Sequence, residues 1–232
     1  HTAHPHKPAA SLRKSTSKSH FSQAAQAQQA MEKTTPPPPT KTKIIGLAGL
    51  AGVGKDTALQ LLKAQQRTAG MAFADPMRAM LEALFAHTGT PRRYMQHRRC
   101  KEATIPQLGS SYRHMAQTLG TEWGRQCLGE DFWIRIATAR IARLQELRWE
   151  VICITDVRTA AEAAWVRSQG GLIWHIRRTQ ATPVLAHITE QMPFRADRMV
   201  MNDQGIAEFA VALREALGCY DKDKALAATP GD

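Results

Sequence analysis

The sequence predicts an α/β fold with a parallel central sheet and helices on both faces. Short apolar runs, which are typical of buried strands, alternate with segments whose apolar residues recur at helical spacing. The 232 residues are 43% hydrophobic, so the chain can bury the core of one domain. No apolar run reaches the roughly 18 residues that a membrane helix needs, and we therefore expect a protein without a membrane partner.

Residues 1–43 differ in composition from the rest of the chain. They are rich in Ser, Lys, Gln, Ala and His and contain the run Pro36–Pro39. Such a segment buries too little apolar surface to offset the entropy of ordering. We therefore expect a disordered extension over 1–43, a folded domain over 44–220 and a flexible C-terminal tail over 221–232. The Ser-rich, acid-poor start of the chain also resembles a transit peptide.

The net charge of +11 is unevenly distributed. Residues 1–43 hold seven Lys and Arg residues and one Glu, and therefore carry +6, which leaves +5 for the remainder. A surplus of this size is ordinary for a globular domain and does not require a nucleic-acid partner. The four cysteines are widely spaced and form no Cys-x-x-Cys pair, which favours reduced thiols in the cytoplasm over a disulfide framework.

Strand and helix signals follow one another along the domain. The predicted strands are the apolar runs Lys43–Ala48, Val151–Thr155 and Leu172–Ile176. The predicted helices are Thr57–Lys63, a segment capped by Asp75, Ser111–Leu119, Phe132–Leu147, a segment opened by a capping box of Thr159 and Glu162, and a last segment capped by Asn202 and Asp203. The stretch His87–Lys101 is strongly basic and shows no clear period. Its arginines Arg92, Arg93, Arg98 and Arg99 suit either a lid or part of the acceptor region that closes over the phosphates, or a solvated loop.

The segment from Gly49 to Thr57 has the pattern Gly-x-x-x-x-Gly-Lys between the first predicted strand and the first predicted helix. Glycines in such a loop let consecutive backbone N–H groups converge on one phosphate, and the N-terminus of the helix adds the positive end of its dipole. Lys55 then spans the β- and γ-phosphates of a nucleotide. The predicted ATP-binding residues are Gly49, Gly52, Val53, Gly54, Lys55, Asp56 and Thr57.

One position departs from the usual phosphate loop. Asp56 stands where Ser or Thr normally offers a hydroxyl to magnesium, and Thr57 follows it. Asp56 and Thr57 are therefore the predicted Mg²⁺ ligands, because carboxylate and hydroxyl oxygens suit that ion. An acidic residue in the first turn of a helix is also favourable by itself, and both explanations stay open.

A second group of candidate residues follows the strand Val151–Thr155. An acid after a parallel strand lies at the sheet edge where ligands bind, which predicts a metal-facing or substrate-facing role for Asp156. Arg158, two residues later, is expected on the same side of the chain as Asp156 and can bind a phosphate with two hydrogen bonds. Asp156 and Arg158 could instead form a local ion pair with each other. The capping box is by itself a sufficient explanation of Glu162.

Four segments occur in one order along the chain: Gly54–Thr57, Phe73–Arg78, Arg113–Trp133 and Ile154–Arg158. Together, over about residues 44–217, they resemble the deoxynucleoside monophosphate kinases of phages and their bacterial relatives. The resemblance implies a three-layer P-loop kinase fold, similar to that of adenylate kinase, with a small lid and acceptor-binding region. It also implies ATP and Mg²⁺ as cofactors, nucleotides as small-molecule substrates, and a cytoplasmic enzyme that needs no nucleic acid and could form a homodimer.

The resemblance implies roles for the residues that match the family's motifs. The implied acceptor-binding residues are Asp75, Arg78, Arg113, Gln117, Gly120, Trp133, Asp156, Arg158 and Glu162. Among them, Arg113 binds the acceptor phosphate and Trp133 stacks on the base, although Trp133 suits a core position equally well. Asp75 is also explained as a helix cap. The match is partial at His187, where a structural histidine is expected. Asn202 and Asp203 match a family segment near the adenine side, although helix capping explains them equally well.

The implied function is transfer of the γ-phosphoryl group of ATP to the 5′-phosphate of a deoxynucleoside monophosphate. The predicted catalytic residues are Lys55, Arg158 and Asp156, and no general base is needed because the acceptor phosphate is already ionised. Dephospho-CoA kinase and phosphomevalonate kinase also have a phosphate loop and are alternatives, but the segment around Trp133 favours an acceptor with a nucleobase. A nucleic-acid-associated P-loop ATPase that draws on the basic N-terminal segment is a further alternative.

Overall fold

A computed structural model of the chain describes residues 41–179 and 193–228. In these ranges the strands are β1 (Lys43–Ala48), β2 (Thr68–Met71), β3 (Thr104–Ile105), β4 (Ser110–Ser111), β5 (Val151–Ile154), β6 (Leu172–Arg177) and β7 (Arg198–Met201). The α-helices are α1 (Lys55–Gln65), α2 (Asp75–Thr88), α3 (Arg93–Gln96), α4 (Tyr112–Gln117), α5 (Phe132–Glu146), α6 (Ala160–Ser168), α7 (Ile206–Gly218) and α8 (Tyr220–Ala228). A 3₁₀ turn covers Cys100–Glu102, and a π-helical segment, Thr118–Cys127, continues α4.

Five strands form a parallel sheet in the order β2-β5-β1-β6-β7. The first strand lies at its centre, where Ile44 is opposite Ile152 of β5 and Leu47 is opposite Trp174 of β6. The two short strands β3 and β4 form a separate antiparallel pair. The carboxyl end of β1 therefore emerges between two neighbouring strands, which is where ligands bind in open α/β sheets.

Alternation along β1 divides the core into two layers, one on each face of the sheet. The layer that contains Ile45 and Leu47 is covered by α1 and α7, through residues such as Leu62 and Leu213. The layer that contains Ile44 is covered by α5 and α6, through residues that include Ile141 and Val166. The predicted α/β fold with a parallel sheet and helices on both faces is thereby confirmed.

A third, smaller core lies apart from the sheet. Its buried members are Leu81, Phe85, Ile105 and Tyr112, which come from α2, β3 and α4. Phe85 and Tyr112 meet edge to face, with ring centroids 6.2 Å apart. This cluster organises the region from α2 to the π-helical segment, which contains the predicted acceptor-binding residues Asp75, Arg78, Arg113, Gln117 and Gly120.

Two predicted helix caps are wrong. The N-cap of α2 is Ala74, and Asp75 is the first helical residue, whose carboxylate accepts the backbone N–H of Ala72 at 2.8 Å. The last long helix, α7, begins at Ile206 after Gly205, so Asn202 and Asp203 do not cap it. The capping box of Thr159 and Glu162 is confirmed.

The C-terminal end of the described chain is helical. The sequence places a flexible tail from residue 221, whereas α8 continues to Ala228. The side chain of Asp223 in α8 binds Arg198 of β7, so this helix is tied to the edge of the sheet. The predicted extension up to residue 40, the remaining tail and His187 lie outside the described residues. In the described ranges, no helix is both long enough and apolar enough to cross a membrane.

Candidate active site

The phosphate loop connects the end of β1 to the start of α1. Gly49 and Gly54 have φ values of 133° and 103°, in the region that glycine alone adopts readily. A Cβ atom at Gly49 would lie 2.4 Å from the carbonyl oxygen of Ile176, so the loop also passes too close to β6 for any side chain. Gly52 has a positive φ as well, and the Val53 side chain is buried in the core beneath the loop. The predicted loop is therefore formed by backbone that is free to present its N–H groups.

Lys55 folds back over this loop. Its Nζ donates hydrogen bonds to the carbonyl oxygens of Gly49 and Leu50, at 2.6 and 2.7 Å. Burial, together with repulsion by the Arg158 guanidinium, lowers the pKa of Lys55 to about 8, although the carboxylates of Asp56 and Asp156 oppose the shift. Lys55 and the exposed Arg158 thus lie within electrostatic reach of each other.

Asp56 and Thr57 are exposed in the first turn of α1, directly after Lys55. A carboxylate and a hydroxyl are hard oxygen donors, which Mg²⁺ prefers. Among residues 41–179 and 193–228, no group of three or more His, Cys, Asp and Glu side chains could hold a metal ion. Magnesium in nucleotide kinases is usually held by one or two side chains and the phosphates themselves, and these two residues fit that arrangement.

Asp156 lies two residues after β5 and is 7% exposed. Its Oδ1 accepts the backbone N–H of Phe73 at 2.8 Å, and its Oδ2 accepts that of Ala74 at 3.1 Å. Burial raises the pKa of Asp156, while these two hydrogen bonds and the charges of Arg78 and Arg158 act against the rise. The carboxylate is therefore directed at the segment that leads into α2, so it can position that segment.

Glu162 performs two tasks at once. Its Oε2 accepts the backbone N–H groups of Arg158 and Thr159, at 2.8 and 3.0 Å, as part of the capping box. Its Oε1 lies 3.3 Å from Nη2 of Arg125 in the π-helical segment. Burial raises the pKa of Glu162, and the backbone hydrogen bonds counteract that rise. Arg125, which is not among the predicted site residues, is thus held close to Arg158.

Arg78 and Arg113 both lie within electrostatic reach of Lys101. Arg78 pairs with Asp75 at 3.3 Å, and Arg113 pairs with Glu102. Burial and the charges of these two arginines lower the pKa of Lys101, whereas the Asp56 carboxylate raises it. Lys101 is not among the predicted site residues, and the charges of Arg78 and Arg113 that act on it make it a further candidate residue.

Trp133 packs in the interior. Its side chain is 7% exposed, and Nε1 donates to the carbonyl oxygen of Gly120 at 2.8 Å. A Cβ atom at Gly124 would lie 2.5 Å from the same Nε1, so the indole ring fills the space that this glycine leaves. Of the two alternatives for Trp133, this geometry favours the core position over a base-stacking surface. Gln117, at the end of α4, is exposed.

His175 and Asn202 also lie against the phosphate loop, and neither is among the predicted site residues. Burial and the charges of Arg177 and Lys55 lower the pKa of His175, which comes from β6. Asn202 follows β7, and its Nδ2 donates to the carbonyl oxygen of Val53 at 2.8 Å. Of the two sequence interpretations of Asn202, helix capping is wrong, and a position near the adenine side of the family's nucleotide site stays a prediction. Neither interpretation reveals the contact with Val53, which is 149 residues away in sequence.

Comparison with known proteins gives one family match. The sequence model of the family described as "Deoxynucleotide monophosphate kinase" matches residues 93–212, just over half of the chain. The match includes Arg113, Trp133 and the segment from Asp156 to Glu162, whereas the phosphate loop lies before it. The search of curated proteins found no match.

Two similar solved structures are also kinases. A mutant of the APS kinase of Mycobacterium tuberculosis is 14% identical, with a TM-score of 0.38, over 78% of this chain and 99% of that chain. An unliganded sugar kinase from Janibacter sp. is 10% identical, with a TM-score of 0.40, over 81% of this chain and 99% of that chain.

Proposed function

The chain belongs to the deoxynucleotide monophosphate kinase family, and we propose that it transfers the γ-phosphoryl group of ATP to the 5′-phosphate of a deoxynucleoside monophosphate. The products are ADP and a deoxynucleoside diphosphate. An oxygen of the acceptor phosphate attacks the γ-phosphorus while the bond from that phosphorus to the β–γ bridging oxygen breaks, and the electron pair leaves with ADP. Because the acceptor oxygen is already ionised, no side chain has to remove a proton.

The observation that carries the proposal is that two groups of cations lie near Asp56, one in the phosphate loop and one that includes Lys101. Burial lowers the pKa of Lys55 in the phosphate loop and the pKa of Lys101, and the Asp56 carboxylate opposes the shift in both. The positive charges of Arg78 and Arg113 also lower the pKa of Lys101. A donor phosphate on Lys55 and an acceptor phosphate on the second group of cations would therefore lie near each other, as transfer between two nucleotides requires.

The chain's contribution to the reaction is positioning and charge stabilisation. Lys55 binds the β- and γ-phosphates of ATP, and Arg158, whose charge acts on Lys55, stabilises the transferred group. Glu162 holds the backbone of Arg158 and the side chain of Arg125 in place through its two oxygens. Asp156 acts one step further away, because it fixes the start of the helix that carries Arg78.

Asp56 and Thr57 would hold Mg²⁺ together with the ATP phosphates. When bound, the ion neutralises charge that develops on the transferred group. The proposal also places the reaction in a reducing compartment such as the cytoplasm, which is supported by the free thiols of Cys100, Cys127, Cys153 and Cys219.

The test is an assay of ADP release with Mg·ATP and a panel of acceptors. The panel contains the deoxynucleoside monophosphates, the ribonucleoside monophosphates, dephospho-CoA and phosphomevalonate. We expect turnover with at least one deoxynucleoside monophosphate and none with the last two compounds. Turnover that occurs only with dephospho-CoA or phosphomevalonate would contradict the proposal.

A second arm separates the kinase from a nucleic-acid-associated ATPase. Removing residues 1–42 takes away the basic extension and leaves the domain that begins with β1. We expect the truncated chain to keep its turnover, and we expect neither chain to be stimulated by DNA or RNA. Stimulation by nucleic acid that falls steeply with salt would instead indicate the ATPase.

A further inference from the structure

Asn202 connects the end of the sheet to the phosphate loop. Its backbone N–H donates to the carbonyl oxygen of Arg177, the last residue of β6, at 2.8 Å. Its side-chain Nδ2 donates to the carbonyl oxygen of Val53, also at 2.8 Å. Because α7 begins four residues later, at Ile206, the amide is not engaged as a helix cap. Asn202 is thus bound through its main chain to the end of β6 and through its side chain to the phosphate loop.

The contact fixes one peptide plane of the loop. In a trans peptide, the C=O of one residue and the N–H of the next point in opposite directions. When the Val53 carbonyl is directed at Asn202, the N–H of Gly54 is therefore directed away from Asn202. The Val53 side chain is 2% exposed, so burial holds the other side of this residue as well.

Gly54 leaves the space that the amide occupies. A Cβ atom at Gly54 would lie 2.4 Å from Nδ2 of Asn202, so the loop glycine and the amide fit each other closely. The carbonyl oxygen of Gly54 accepts the N–H of Ala58 at 2.8 Å and begins α1. The Asn202 contact therefore acts at the point where the loop becomes the helix whose N-terminus faces the phosphates.

The same turn carries a second connection. Asp203 accepts the side-chain hydroxyl of Thr179 at 2.7 Å and also the backbone N–H of that residue. Asn202 and Asp203 thus both bind the chain at the end of β6 and just after it, and Asn202 also binds the phosphate loop. This arrangement keeps Asn202 in place without help from a helix.

We propose that Asn202 is a positioning residue for nucleotide binding: its amide holds the Val53–Gly54 peptide in the orientation that presents the Gly54 N–H to the donor phosphates. The inference rests on the proposed function in taking ATP as the donor. It does not depend on which acceptor receives the phosphoryl group. Asn202 itself does not touch the reacting atoms in this proposal.

The experiment compares Asn202→Ala and Asn202→Asp with the wild-type chain. Titration calorimetry with Mg·ATP and with Mg·ADP gives Kd, steady-state rates give KM for ATP and for the acceptor, and thermal unfolding shows that each variant is folded. The control is Gln204→Ala, an exposed residue of the same turn. Loss of one partly buried hydrogen bond predicts a Kd for both nucleotides that is about tenfold higher in Asn202→Ala. We expect a larger increase in Asn202→Asp, because a carboxylate faces the Val53 carbonyl.

The pattern of constants decides the question. The proposal predicts a higher Kd and KM for ATP, an acceptor KM that changes less than twofold, and a Gln204→Ala variant that matches the wild type. Unchanged nucleotide affinity in the folded Asn202 variants would overturn it, as would an equal rise in both KM values. A wild-type chain that binds Mg·ATP but phosphorylates no nucleotide would refute the proposed function alone. A wild-type chain that does not bind Mg·ATP would refute both.

Discussion

The carboxylate of Asp156 accepts the backbone N–H of Phe73 at 2.8 Å, although 83 residues separate them in sequence. The contact joins the end of a central strand to the segment that starts α2. Because α2 carries Arg78 and packs its face on the small core of Leu81 and Phe85, the helix that holds this proposed acceptor-binding residue is anchored to the sheet through a buried carboxylate. Asp156, which the sequence marks as a candidate ligand, thus binds the backbone that precedes α2.

Asp156→Ala is expected to destabilise the protein, because it leaves the N–H groups of Phe73 and Ala74 without their acceptor. A loss of about 3 kcal/mol in the free energy of unfolding is expected for two such hydrogen bonds to a buried carboxylate. Urea unfolding measures it, with Glu130→Ala, an exposed acid, as the control. A midpoint for Asp156→Ala equal to that of Glu130→Ala would show that the two contacts contribute nothing.

Trp133→Phe tests whether the indole ring is core or base platform. The change removes the donor to the Gly120 carbonyl and leaves a gap beside Gly124, so we expect the free energy of unfolding to fall by about 1–3 kcal/mol. The ratio of KM values for purine and pyrimidine acceptors should stay as in the wild type. The half-exposed Trp123 supplies the control, Trp123→Phe. A changed base preference with unchanged stability would restore the stacking role.

The sequence predicts correctly those elements that depend only on a few neighbouring residues. The strand Val151–Ile154 is an uncharged apolar run, and its residues are all buried. The glycines of the phosphate loop and the capping box at Thr159 are likewise defined by a few neighbouring residues, and both are present. The strand Thr68–Met71 was not predicted because four residues that include Gly70 give no clear alternation.

The sequence does not predict contacts between residues that are far apart along the chain. The local pattern at Asn202 matches a helix cap, yet its amide binds Val53, which lies 149 residues earlier in the sequence. Lys101 belongs to a stretch without periodicity, and only folding brings it beside Arg78 and Arg113. Side-chain type indicates what a residue is able to bind, whereas the choice among partners depends on the packing of the whole sheet.

Arg158→Ala is expected to weaken acceptor binding more than ATP binding. Arg158 is exposed and lies within electrostatic reach of Asp156 and Lys55, whereas the ATP phosphates keep Lys55 and the loop N–H groups. Loss of one charged phosphate contact predicts an acceptor KM about tenfold higher or more. Initial rates with each substrate varied in turn give both constants, and Arg140→Ala, an exposed residue of α5, is the control. Equal increases in the two KM values would contradict this placement.

Lys55→Ala should abolish transfer and leave the fold intact. The ammonium group binds carbonyl oxygens of its own loop and is not part of either core layer, so the thermal midpoint should stay close to that of the wild type. Lys63→Ala changes an exposed residue of the same helix and serves as the control. Removal of a positioned cation predicts a rate at least about a hundredfold lower. A rate near that of Lys63→Ala would refute the assignment of the loop.

The pH dependence of ATP binding should report Lys55 directly. Its pKa is lowered to about 8 by burial and by the charge of Arg158, so the free protein loses this proton as the pH rises through that value. Bound phosphates favour the charged ammonium and raise its pKa. ATP binding above pH 8 should therefore take up a fraction of a proton, and the affinity for ATP should fall as the pH increases further. Calorimetry at pH 8.5 in two buffers of different ionisation enthalpy measures the uptake. Lys55→Met, which cannot be protonated, should show none, and equal uptake by both proteins would assign the proton to another group.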